Sequence, residues 1–425
     1  MRIFKRIVCA SLGALLLTSC LCSCAKEEEV IIPDEAGWFA TWAAASMAPV
    51  GDEFPLQGLR NNTVRQQVKV SIGGNKLKLT FSNEYGIIPL VIDSVHVAKL
   101  LYAGSPNIDT STDTVVTFNG GSESVTIPEG QTVTSDEIDF NFEALDLLAV
   151  TSCFGDYTGG EITCHSDGGC TAWVTEGNHV GDETFSVMSF KASYYYLCRM
   201  DTYAEAGTKT VVCIGDSITD GACCTFNGFD GWVEVLSQSM QSDPRTQNIS
   251  VVGTGIGGNC LLHDGWGVSV KNRFERDALN VPGVRYVCVM IGINDIGGAQ
   301  ADISDELIAG YKELIAAAHA KGIKVYACTL TPVKGNFYYS ELHEKIRKTV
   351  NEFVFSSNSG FDGVIDMSNA ICREDDPEQM KDEYTCGDYL HPGSKGYEAM
   401  GKEAYYTLTE IWEAAAKAAE EENKR

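Results

Sequence analysis

The hydrophobic period of the chain changes once, and that change constrains the fold more than any other feature. From Trp38 to about Met200, apolar residues recur at every second position. Val68, Val70 and Ile72 alternate with Lys69 and Ser71, and Leu77, Leu79 and Phe81 alternate with Lys78 and Thr80. Period two puts successive side chains on opposite faces of a strand. Gly73-Gly74-Asn75 between the two runs predicts a hairpin with one solvated face. Further strands are expected over 91–100, 114–118, 124–127, 147–153 and 185–196, with turn residues between them. This pattern predicts an all-β sandwich over 38–200.

Beyond about Thr208, short apolar runs alternate with helical faces. The runs are 211–214, 249–252, 286–291, 324–329 and 363–366. Leu307, Ile308, Tyr311, Leu314, Ile315 and Ala318 mark one helix face, and 232–240 and 342–355 read similarly. Ser394 is expected to cap a last helix over 395–419. Apolar strands joined through helices predict an α/β unit over 201–425, a five-stranded parallel sheet covered on both faces. A length of 425 residues accommodates two such units.

The first of these runs stops at Gly215-Asp216-Ser217. Open α/β sheets place their sites at the carboxyl ends of strands, so Ser217 is a candidate nucleophile. A serine needs a base, and Asp388-Tyr389-Leu390-His391-Pro392 supplies one. An Asp and a His three residues apart in a tight turn can touch, so the carboxylate can orient the imidazole. Taken alone, Ser217 would read as a helix cap and His391 as an ordinary loop residue; the pairing reverses both. Two more polar turns follow apolar strands, Gly255-Ile256-Gly257-Gly258-Asn259 and Gly292-Ile293-Asn294-Asp295. The first lacks the full spacing and the acidic partner of a dinucleotide-binding loop.

These four blocks, in this order over roughly 209–415, resemble the SGNH (GDSL) hydrolase family. The resemblance implies a flavodoxin-like fold and a serine esterase or acylhydrolase with Ser217, His391 and Asp388 as its catalytic triad. It also implies an oxyanion hole from the backbone N–H groups of Ser217 and Gly258 and the side-chain amide of Asn294, with neither metal nor organic cofactor. His263 and Asp295 are candidate substrate-cleft residues, while Asp216 and Asp295 are expected to hold their turns. His165 and His179 are expected at the surface of the sandwich, and His319 and His343 on helices without partners. The region 38–200 is expected to support or extend the cleft without contributing chemistry.

Composition narrows the setting. A net charge of −26 disfavours nucleic acid as a partner. Arg2, Lys5 and Arg6 precede a short apolar stretch, so 1–19 reads as an export signal. Leu17-Thr18-Ser19-Cys20 resembles a bacterial lipobox, with Cys20 the lipidated residue and Cys24 the alternative. Residues 20–37 then form a tether, and the expected place is the bacterial cell envelope, with the membrane touched only through the lipid anchor. Of the 16 cysteines, Cys213, Cys288 and Cys328 fall in buried strands. Cys164/Cys170 and Cys372/Cys386 are candidate disulfides, and Cys223-Cys224 carry no assignment. The expected activity is hydrolysis of O-acyl, chiefly O-acetyl, esters on a small molecule or glycan. A lipase or lysophospholipase is the enzymatic alternative. A glycan-binding surface protein with an inert hydrolase unit, using Trp173, Tyr102 or Tyr157, is the non-enzymatic one.

Overall fold

The computed structural model describes Ile32, residues 34–49 and residues 58–424. The expected signal, Cys20, Cys24 and most of the tether lie outside the described residues. No helix among the described residues is long and apolar enough to cross a membrane.

The parallel sheet has five strands in the order Ile249–Gly255, Lys209–Gly215, Val284–Met290, Lys324–Cys328 and Gly363–Ile365. The first strand in sequence is thus second in space, the 2-1-3-4-5 order of flavodoxin-like folds. Each strand is apolar on both faces. Val212 and Ile214 pack with helices Val270–Phe274, Ser304–His319 and Glu341–Phe355. Val211 and Cys213 pack oppositely with Trp232–Ser242, Met367–Ile371 and Ser394–Asn423. Cys213, Cys288 and Cys328 are buried there as expected. Ser394 is not the cap: the cap position falls on Gly393, and the Ser394 hydroxyl instead meets that of Thr225 at 2.9 Å.

The N-terminal region is built from antiparallel sheets around one core. One sheet contains strands Gly37–Ala43, Leu197–Ala204 and Gly74–Ser82. The other contains Ala172–Glu176, Asn62–Lys69, Leu147–Phe154 and Ser94–Leu100. The hairpin expected around Gly73-Gly74-Asn75 does not form. Asn62–Lys69 pairs with Leu147–Phe154 and Ala172–Glu176, whereas Gly74–Ser82 pairs with Leu197–Ala204, so the turn carries the chain between sheets. The expected solvated face is also covered. Arg65 is fully buried, donating to Thr151 Oγ1 at 2.9 Å and Asp182 O at 2.7 Å. The expected strand over 185–196 is broken into Ser189–Lys191 and Tyr194–Tyr195. Leu197–Ala204 then runs on past Met200.

The two regions interlock at the edge of the parallel sheet. Ile249–Gly255 is an edge strand, whose free backbone groups would otherwise invite another strand. Ser71 Oγ accepts from Val251 N–H at 2.8 Å and meets Ser237 Oγ at 2.9 Å. Ser250 Oγ donates to Ala40 O at 2.5 Å, and Ala40 N–H donates to Pro282 O at 3.0 Å. Side chains and loops of the β region thus cap that edge. Phe39 packs onto Gly283, whose φ is +74° and where an added Cβ would lie 2.1 Å from Phe39 Cδ1. Gly283→Ala therefore meets both a left-handed backbone and a clash. Thermal or urea unfolding should show a loss of roughly 2–4 kcal/mol, and an unchanged midpoint would mean that Phe39 yields freely.

Candidate active site

Ser217 opens a one-turn helix, Ser217–Asp220, directly after the central strand. Asp216 caps it by accepting the Ile218 N–H at 3.0 Å. Its other oxygen, Oδ2, is buried with no hydrogen-bond partner. Burial, with the nearby charges of Asp295 and Asp220, pushes the Asp216 carboxyl up to about 7 against the pull of Ile218 N–H and Arg273.

The structure brings Ser217, His391 and Asp388 together in one hydrogen-bonded chain. Ser217 Oγ lies 2.8 Å from His391 Nε2, and His391 Nδ1 lies 2.7 Å from Asp388 Oδ2. The Asp388–His391 turn organises itself, because Asp388 Oδ1 accepts the N–H groups of Leu390 and His391, each at 2.8 Å. Burial would raise the Asp388 carboxyl, but these N–H groups and the imidazole outweigh it and hold it below the usual carboxylate range. Asn336, which sequence reading did not single out, donates to Asp388 O at 2.7 Å.

Asn294 reaches the loop that carries Gly258. Asn294 follows the strand Val284–Met290 and donates one amide hydrogen to Asn259 O at 2.9 Å, which leaves its second. Tyr338 Oη donates to Asn294 Oδ1 at 3.1 Å and so fixes which way the amide faces. Gly258 has φ +69°, and an added Cβ would lie 3.1 Å from the Trp266 side chain. Both facts require glycine there. Asp295 does not line the cleft. It is buried, and its carboxylate accepts Leu261 N–H at 2.8 Å and Leu262 N–H at 3.0 Å, holding the loop beyond Gly258. His263 is exposed beside it.

Arg273 ties these pieces together, and no motif announced it. It is buried in the helix Val270–Phe274 and donates to Gly215 O at 2.9 Å, Thr254 O at 2.7 Å and Asn259 Oδ1 at 3.1 Å. Asp277 Oδ2, on the π-helical turn Glu275–Leu279, neutralises it at 3.1 Å. Arg276 on the same turn reaches Glu84 and Ser46 O in the β region.

His165 is buried, not at the surface. Nε2 lies 2.9 Å from Asp220 Oδ1, at the end of the Ser217 helix, and Nδ1 lies 2.9 Å from Ala45 O. Both ring nitrogens face acceptors, which suits the imidazolium. Burial alone would lower its pKa, but Asp220 and Ala45 outweigh that and raise it. His179 is half-buried and pairs with Asp182 at 2.7 Å. His319 and His343 do have partners: His319 bonds Asp362 at 2.9 Å, and His343 bridges Tyr338 O at 2.6 Å and Ala299 O at 2.9 Å.

Neither expected disulfide forms. Cys170 Sγ sits 2.9 Å from Tyr194 Oη and Cys164 Sγ 3.5 Å from Met47 O, while Cys372 Sγ faces Asn369 O at 3.8 Å. Cys260, His263 and Asp295 offer ligand atoms within 4.8 Å of one another. They fit a metal poorly, since both Asp295 oxygens are engaged and burial pushes the Cys260 thiol up to about 12.

An open parallel sheet with a Ser–His–Asp chain at its carboxyl edge is the arrangement of a serine hydrolase of the α/β class. Residues 213–399 match the GDSL-like Lipase/Acylhydrolase family, so the α/β unit is a GDSL-type domain and the enzyme class is carboxylic ester hydrolase. Solved structures similar to this chain include a GDSL-like lipase from Bacteroides thetaiotaomicron, at 19% identity over 48% of this chain and 89% of that one, with a TM-score of 0.37. An acetylxylan esterase from Geobacillus stearothermophilus, solved as a catalytic mutant, is 20% identical over 48% and 94%, with a TM-score of 0.36. A hydrolase from the metagenome of Lake Arreo is 18% identical over 47% and 94%, with a TM-score of 0.37. No curated protein matched the chain.

Two consequences can be measured. The Asp216 carboxyl is raised in the folded chain relative to about 3.9 when unfolded. Its contribution to stability is complete below about pH 4 and is lost as pH rises towards about 7. Asp216→Asn keeps the cap oxygen and removes the titration, so wild-type should lose roughly 2–4 kcal/mol more than the variant over that window in urea unfolding. Parallel pH curves would refute the assignment. His165→Ala strands the Asp220 carboxylate, a loss of about 3–5 kcal/mol. The loosened Ser217 helix should also lower kcat/KM on a small ester by about tenfold or more. Wild-type kcat/KM in the folded variant would show that the helix does not need the β region.

Proposed function

We propose that the protein is an extracytoplasmic serine esterase that removes O-acyl, chiefly O-acetyl, groups from carbohydrate. The observation that carries the chemistry is the hydrogen-bonded chain from Ser217 through His391 to Asp388. Ser217 Oγ attacks the ester carbonyl carbon while His391 Nε2 takes the hydroxyl proton. The carbonyl oxygen gains negative charge as a tetrahedral intermediate forms. The N–H groups of Ser217 and Gly258 and the free amide hydrogen of Asn294 stabilise it, and one such donor is worth about 10²–10³ in rate. When the C–O bond breaks, His391 returns the proton to the departing alcohol and an acyl-Ser217 remains. Water repeats the sequence and frees the acid. Asp388 holds the imidazole tautomer and stabilises the imidazolium.

The carbohydrate reading rests on the rim. Trp266 stands against Gly258 with 62% of its surface exposed. Phe337 is 86% exposed and stacks edge-on to Tyr338, the residue that orients Asn294. Exposed aromatic faces beside Gly258 and beside Tyr338 suit the apolar faces of sugar rings. Of the three aromatics named for sugar stacking in the β region, Trp173 is buried, whereas Tyr102 and Tyr157 are exposed. Export and lipidation at Cys20 suit this role and rest on the sequence of 1–24 alone.

Ser217→Ala should abolish hydrolysis of a small acetyl ester without altering the fold. Trp266→Ala and Phe337→Ala should raise KM for acetylated xylo-oligosaccharide several-fold while sparing a small acetyl ester. Equal effects on both substrates, or a wild-type preference for long acyl chains, would replace the carbohydrate reading with a lipolytic one. Activity surviving in folded Ser217→Ala would remove the mechanism itself.

A further inference from the structure

Two thiols that the proposed chemistry does not use meet beside the site. Cys223 lies on the loop leaving the Ser217 helix, and Cys386 lies two residues before Asp388. The Cys386 thiol neighbours that of Cys223, and both residues are exposed. The loops are held together on either side of that contact. Tyr397 Oη donates to Ala222 O at 2.5 Å, and the Thr225 and Ser394 hydroxyls lie 2.9 Å apart. Cys386 N–H donates to His391 O at 3.0 Å, and Gly393 N–H to Tyr384 O at 2.7 Å. Cys223 also has φ +68°, a left-handed conformation that a side chain adopts only where its surroundings impose it. Cys213 and Cys288 are also cross-strand neighbours, but both are sealed inside the sheet, out of reach of an oxidant.

We infer that Cys223 and Cys386 form a disulfide site, a covalent strap between the loop that leaves Ser217 and the loop that carries Asp388 and His391. The reaction is a thiol–disulfide exchange with a small-molecule disulfide. The two protein thiols lose two protons and two electrons and form one S–S bond, and the oxidant is cleaved to two thiols. Desolvation and the neighbouring Cys386 push the Cys223 thiol up to about 12, which disfavours its thiolate. The two residues are far apart in sequence, and cross-linking distant positions restricts the unfolded chain most. In the native state the strap fixes the approach of His391 to Ser217 from outside the hydrogen-bonded chain.

The test uses the full chain, oxidised with glutathione disulfide at mildly alkaline pH. Free thiols are alkylated, and the protein is digested without reduction for mass spectrometry. The expected product is a Cys223–Cys386 peptide pair, and Tm should rise by roughly 4–8 °C on oxidation. Cys223→Ser and Cys386→Ser should each abolish that rise, while their Tm and ester hydrolysis under reducing conditions match reduced wild-type. Full alkylation of both thiols, a glutathione adduct in place of the pair, or a bridge from Cys386 to Cys372 or Cys224 overturns the inference. So does an undiminished Tm rise in Cys223→Ser.

Discussion

A single buried guanidinium holds the carboxyl edge of the sheet in register. Arg273 has no exposed side chain, yet it carries a charge. Burying that charge is costly unless every donor is used and a counter-charge is near. Here the donors reach the ends of two adjacent strands, at Gly215 and Thr254, and the loop residue Asn259, while Asp277 supplies the negative charge. The carbonyls so gathered belong to the segments that precede Ser217 and surround Gly258. One rigid, planar cation therefore ties the segment before Ser217 to the loop around Gly258. Lysine, with a point charge and no fork, could not hold three segments at fixed angles.

The β region is part of the same construction. Its Ser71 and Ala40 satisfy the outer edge of the parallel sheet. Its His165 answers the Asp220 carboxylate at the end of the Ser217 helix, and its Glu84 answers Arg276 on the turn beside Arg273. Each of these contacts takes the place of water on a polar group at the surface of the α/β unit. Because the strand Leu197–Ala204 runs past Met200, a cut there would also sever a strand paired on both sides. The β region thus meets the α/β unit through a charged pair one helical turn from Ser217.

Much of the site was legible because its parts are local. The Gly215-Asp216-Ser217 turn needs only a buried strand followed by a cap. The Asp388–His391 pair needs only three residues of separation, and the backbone N–H groups of its own turn fix its carboxylate. The strands of the parallel sheet were legible for a similar reason, since runs apolar on both faces suit a fully covered sheet. The α/β architecture and the ester hydrolase class follow from those local signals. Asn336, Tyr338, Arg273 and His165 gave no such signal. Each acts on a partner distant in sequence, and none sits in a motif whose spacing announces its role.

The misread features share one cause. Ser71 and Lys69 look like the solvated face of a hairpin when only the strand itself is considered. His165 looks like a surface histidine, and Cys372 looks like the partner of Cys386. In each case the alternating pattern or the short spacing was sound, but the neighbour was supplied by a different segment of the chain. The sequence by itself determined the strands of the parallel sheet, which turns carry polar groups, and the candidate Ser, His and Asp. Only the tertiary structure decided which sheet each β strand joins, which charges are buried in pairs, and which cysteines meet. Periodicity reports the environment of a residue along its own element, whereas pairing and burial depend on segments that only folding brings into contact.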